Sequence, residues 1–171
     1  MQFEDIEVKE SLPYPEIENA TEDRETVAIL KNLATSKNGE LAGILQYIYQ
    51  SVVSKSFNEE ISSIFSEIGI VEMIHLDLLM SAITSFGGVP RYEDAMGNIF
   101  NTASINYSIK LKDMLQNNIK DEQIAIMEYA RASEKVKNKS LKELLNRIKL
   151  DEERHLEIFK RILNNVTFLS I

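Results

Sequence analysis

Cysteine is absent from all 171 residues of the chain. That excludes disulfides, thiolate metal sites, iron–sulfur ligation and a cysteine nucleophile, so any metal held here must be held by oxygen and imidazole. Imidazole is itself scarce, with two histidines. Basic residues are outnumbered, 19 Lys and Arg against 27 Asp and Glu, for a formal charge of −8. A surface of that sign does not suit nucleic acid, whose phosphates demand clustered Lys and Arg, and suits cationic ligands better. No run approaches 18 uninterrupted apolar residues, and the opening MQFEDIEVKE lacks the basic and apolar regions of a secretory signal. No membrane association and a cytoplasmic location are therefore expected.

Proline is nearly as rare, and two of the three fall in LPYP at Leu12–Pro15. Rings so close together prevent a helix from starting there, so residues 1–20 read as an extended N-terminal arm. With 44% hydrophobic and 27% charged residues the remainder, 21–171, has the composition of one globular domain. Apolar residues recur at helical spacing from Thr21 to Lys55, which predicts one long first helix. Asn58 is placed to cap a second helix running through Phe86, with Glu59 and Glu60 in its first turn. GGVP at Gly87–Pro90 ends it, and a weakly periodic connection follows. Helical pattern returns from about Ile105 to Val136, and a fourth helix follows with Ser140 as its cap. No alternating β-branched segment competes. The fold class is thus all-α, a four-helix bundle of two helical hairpins joined by a long crossover.

The halves repeat weakly. NGELAGILQY (Asn38–Tyr47) aligns with KDEQIAIMEY (Lys120–Tyr129), and each places Ile four and Tyr seven residues after a Glu. Glu72 with His75 returns as Glu152 with His155, so both histidines of the chain stand in E-x-x-H. On a helix that spacing puts Glu and His on one face, within reach of one ion. Midway between Glu40 and Glu72 is Ser56, and midway between Glu122 and Glu152 is Lys137, both in expected turns. Each pair therefore faces itself across its hairpin roughly 22 to 24 Å from the loop. Four carboxylates and two imidazoles then share one level of the bundle. Burying four ionised acids together requires compensating cations, so Glu40, Glu72, His75, Glu122, Glu152 and His155 read as ligands of two iron or manganese ions. Tyr47 and Tyr129, two turns along from Glu40 and Glu122 respectively, are expected to hydrogen-bond these carboxylates.

At these residues the sequence resembles the ferritin-like superfamily over residues 22–165. GELAGILQYIYQS is similar to the first helix of manganese catalases and rubrerythrins, and EMIHLDLLMSAITSFGGVP to the second helix of bacterioferritins. The resemblance implies terminal ligands at Glu40 and Glu122, bridges at Glu72 and Glu152, and one imidazole per metal. It implies peroxide or dioxygen as substrate, hydrogen peroxide first, with an external electron donor, since the four-cysteine rubredoxin domain of rubrerythrins is missing. Manganese catalase activity and iron storage are the alternative readings. Asp151 is placed to orient an imidazole, whereas the second helix carries Val71 at that position, so this support is one-sided. Asp121 stands where manganese catalases have Arg. Met73 stands where bacterioferritins ligate haem at a dimer interface, although packing is its ordinary role and haem is not expected. NNVTFLSI reads as a tail rather than a fifth helix, which favours a homodimer over a storage cage.

Overall fold

The computed structural model describes residues 6–168, so the first five residues of the arm and the last three of the tail lie outside it. Five α-helices follow in order: α1 (Arg24–Thr35), α2 (Glu40–Ser54), α3 (Glu59–Ser85), α4 (Leu111–Lys135) and α5 (Lys139–Phe168). They make a four-helix bundle, because α1 and α2 together take the place of the single long first helix expected from periodicity. Gly39 explains the break: a Cβ there would sit 2.4 Å from the Leu33 carbonyl oxygen, so the chain folds back on itself where no side chain fits. The break puts Glu40 in the first position of α2, where the helix dipole favours a carboxylate.

The other boundaries follow from capping. Asp23 caps α1 by accepting from the Glu25 and Thr26 amides, and Asn58 caps α3 by accepting from the Ile61 amide, as its sequence position suggests. For α5 the cap is Asn138 rather than Ser140: the Asn138 side chain accepts from the Leu141 amide, and Ser140 donates to the same oxygen. Helix α5 continues past Asn165 to Phe168, through much of the expected tail. Helix α4 starts at Leu111, later than periodicity indicates, because Thr102–Ser104 forms a 3-10 turn and the stretch after it stays irregular.

Helices α2 and α3 pair as one hairpin and α4 and α5 as the other, with turns at 55–58 and 136–138. The crossover between them lies against α1, held by Lys31–Glu93 (2.6 Å) and by the Thr35 hydroxyl donating to the Glu93 carbonyl. Two apolar layers result. One gathers Leu30, Leu79, Ile83, Leu144 and Ile148, and the other Phe65, Ile68, Met114, Phe159 and Ile162. Each large side chain buried in them contributes about 1.5–3 kcal/mol. By length and mean hydropathy (1.5) α3 passes for a membrane span, yet its inner face carries Glu72 and His75 into the bundle. These two residues belong to a polar layer between the apolar ones.

Candidate metal centre

All six residues picked out by spacing meet in that layer. Glu40, Glu72, His75, Glu122, Glu152 and His155 are each buried, the two histidines completely. Each histidine turns Nδ1 inward. From His75 Nδ1 the carboxylates of Glu152, Glu72 and Glu40 lie 3.0, 3.3 and 3.6 Å away; from His155 Nδ1 those of Glu72, Glu152 and Glu122 lie 3.1, 3.4 and 3.8 Å away. One four-residue group is Glu40, Glu72, His75 and Glu152, and the other is Glu72, Glu122, Glu152 and His155, each with donor atoms within 4.8 Å of one another. Glu72 and Glu152 serve both.

The donors converge without fully satisfying one another: His75 Nδ1 reaches Glu72 at 3.3 Å, but others stay unpaired. His155 Nδ1 and Glu152 Oε1 are buried and lack a hydrogen-bond partner despite these short separations, because their lone pairs and N–H directions do not line up. Buried polar atoms are ordinarily paired, and donors aimed at a common point instead suit an ion. The residues therefore fit a dinuclear centre of mixed oxygen and imidazole ligands. Without metal the layer must hold protons. Burial first, then the charge of Glu72, raises the Glu40 carboxyl well above its ordinary range, and burial with Glu152 does the same to Glu122. Against the burial that opposes charge, Glu152 and Glu72 lift His155 to about 9, and the carboxylates of Asp151, Glu152, Glu40 and Glu72 lift His75.

The tyrosines act across the bundle rather than along their own helices. Tyr47 donates to Glu122 and Tyr129 donates to Glu40, each through a short bond between α2 and α4. This corrects the expectation that each supports the carboxylate two turns back on its own helix: seven residues span about 10 Å of helix, beyond the reach of a tyrosine to its own Glu, while the facing helix is close. Asp151 also acts on the opposite hairpin, accepting from His75 Nε2 at 3.1 Å and not from His155 of its own helix. Met73 takes no part in the cluster; it is 44% exposed on α3 while Glu72 and His75 are buried.

Sequence reasoning placed an extended arm here but missed what it touches. Its Tyr14 donates to Asp151 Oδ2 (2.6 Å), the Glu10 amide donates to Asp151 Oδ1 (2.7 Å), and Arg147 binds the carbonyls of Leu12 and Glu10. The two prolines around Tyr14 and the four-residue spacing of Arg147 and Asp151 were the available signals. A second network was also missed: Gln46 donates to Asn118 and Asp121 and accepts from the Asn106 amide, tying the crossover to α2 and α4. Beside it a channel of about 60 Å³ leads from exposed Lys37 to the carboxylates, past Gly43, Ala125, Asp121 and Glu128. That volume admits about two waters. Burial raises both acids at its mouth, Asp121 and Glu128.

Comparison with known proteins agrees with this layout. The sequence model of the rubrerythrin family matches residues 31–163. No curated protein matches the chain. In fold the chain is similar to KatB, a manganese catalase from Anabaena PCC7120, with a TM-score of 0.84 over 92% of this chain and 80% of that one, at 20% identity. A structure of wild-type KatB from Anabaena gives 0.83 over 92% and 79%, also at 20% identity.

Proposed function

The chain belongs to the rubrerythrin family, and from that membership and the geometry of the buried layer we propose that it holds a dinuclear iron or manganese centre and reacts with hydrogen peroxide, with dioxygen as the alternative oxidant. Glu40 and Glu122 would be terminal ligands, Glu72 and Glu152 bridges, and His75 and His155 would each give Nδ1 to one metal. The observation that carries this reading is that Glu72 and Glu152 alone are common to both four-residue groups. When bound, the metals supply the electrons that cleave the O–O bond, replenished by an external donor.

The protein's own groups do the rest. The Tyr129 and Tyr47 hydroxyls donate to Glu40 and Glu122 and so fix the terminal carboxylates while the shared ones stay free to shift. Two apolar layers exclude bulk water from above and below. The channel, about two waters in size and acidic at its mouth, favours a small neutral molecule over larger or anionic ones. Anaerobic loading with ferrous or manganous ion, followed by peroxide, tests the proposal: peroxide should be consumed stoichiometrically and, with a reductant, repeatedly. Unloaded and loaded protein consuming peroxide alike would refute it.

A second reading rests on the fold shared with KatB, which is a manganese catalase. Oxygen evolution from peroxide without reductant would favour it, whereas slow mineral uptake without turnover would favour storage. A homodimer is part of the same proposal. Leu45, Ile48 and Val52 on α2 and Ile70 and Met73 on α3 are exposed apolar residues of one hairpin, and a solution mass of twice 19.6 kDa is expected.

A further inference from the structure

The two halves of the centre repeat their ligands but not their supports. Asp151 is completely buried, and its Oδ2 accepts from His75 Nε2 (3.1 Å) and from the Tyr14 hydroxyl (2.6 Å). Its Oδ1 accepts from the Glu10 amide (2.7 Å) and pairs with Arg147 Nη1 at 2.8 Å. Arg147 binds the arm carbonyls of Leu12 and Glu10, both at 2.6 Å, and lies 4.5 Å over the Tyr14 ring, which meets His75 edge-on at 6.0 Å. The imidazole of His75 is thus held by a carboxylate that is itself held on both oxygens.

Among the described residues His155 has nothing comparable. Its Nε2 is buried without a hydrogen-bond partner. Asp151 stands four residues before His155 and serves His75; the matching position, four residues before His75, is Val71, which is buried and has no hydrogen-bonding side-chain group. Among the described residues the arm contacts Asp151 and has no counterpart on the other side. An acceptor behind a ligating histidine fixes its tautomer and ring orientation, and losing such a partner costs about 10- to 100-fold in metal affinity.

We infer that the two metal positions are unequal, the one at His75 tight and preorganised by Tyr14, Arg147 and Asp151, the one at His155 weaker by about 10- to 100-fold and filled second. The inference rests on the dinuclear reading above and goes further in ranking the positions. Tyr14, Arg147 and Asp151 are positioning residues, acting through His75, and the arm becomes part of the centre.

Calorimetric titration of metal-free protein with manganous ion alone, under anaerobic conditions, tests this. Two classes of one ion each are expected, separated by about 10- to 100-fold. Asp151→Asn should weaken the tighter class about ten-fold and Tyr14→Phe the same class less, with the weaker class unmoved. Val71→Asn, which puts an amide oxygen at the position that matches Asp151 in the repeat, should tighten the weaker class. Two equal classes in the wild type, or a Tyr14→Phe that weakens both alike as a general loosening would, overturn the inference while leaving the dinuclear reading standing. No binding at all overturns both.

Discussion

Strip the metals and raise the pH, and the protein should lose stability steadily. His155 carries the clearest share, because its buried ring is held charged by Glu152 and Glu72 and its pKa rises from 6.5 to about 9. A histidine raised in the folded state contributes stability that is complete below 6.5 and lost as pH climbs to about 9. Integrated over that window the share is on the order of 3 kcal/mol. His75 is raised too, and adds in the same direction. Glu40 and Glu122, raised by burial and by their neighbours, also prefer the proton in the folded state, so they too cost stability as pH rises above 4.5. Glu72 and Glu152 are lowered, and their contribution is lost only in acid, outside the window. For a domain of this size about 1 kcal/mol moves Tm by 2–4 °C, so His155 alone accounts for roughly 6–12 °C between pH 6.5 and 9. Thermal unfolding followed by circular dichroism in chelator, at half-unit steps of pH, measures this directly. Glu40→Gln, which imitates the protonated acid, should melt above the wild type at pH 8 and level with it at pH 5. Metal-loaded protein should lack the slope, since the ligands have surrendered their protons. A metal-free Tm that stays flat or rises across the window would refute the reasoning.

Ala125→Leu should fill a channel that holds about two waters, slowing peroxide consumption by roughly an order of magnitude at unchanged metal content in stopped flow; an unchanged rate would mean that substrate arrives elsewhere. Double-mutant cycles on metal-free protein should couple Tyr47 to Glu122 by about 0.5–1.5 kcal/mol, the range for a hydrogen bond to a neutral group, since Glu122 holds a proton there, and Tyr47 to Glu40 by close to nothing. The reverse pattern would contradict the crossed tyrosines.

Spacing alone exposed the six inward donors, because E-x-x-H and the hairpin midpoints are consequences of helical pitch and survive whatever the loops do. The partner of each tyrosine was not legible, since choosing between carboxylates needs the distance between helices. Nor was the break at Ser36–Gly39: apolar periodicity runs through it, and only the close approach of Gly39 to Leu33 forces the fold back that makes Glu40 the first residue of α2. Asp151 showed its character but not its target, because an acid on α5 serving a histidine on α3 is a relation between hairpins. The arm was legible as extended from its prolines, but its contacts were not, for a simpler reason. An extended segment has no period, and the backbone groups of Glu10 and Leu12 that grip Asp151 and Arg147 carry no sequence signal.

The central claim is that the buried carboxylates and imidazoles exist to hold two metal ions. Elemental analysis of protein purified without added metal, then reloaded anaerobically with ferrous or manganous ion and desalted, measures it most directly. The account predicts a limit of two ions per chain, lost in Glu72→Gln combined with Glu152→Gln while the helical content persists. Wild-type protein that stays folded and retains less than one ion per chain after reloading would contradict it.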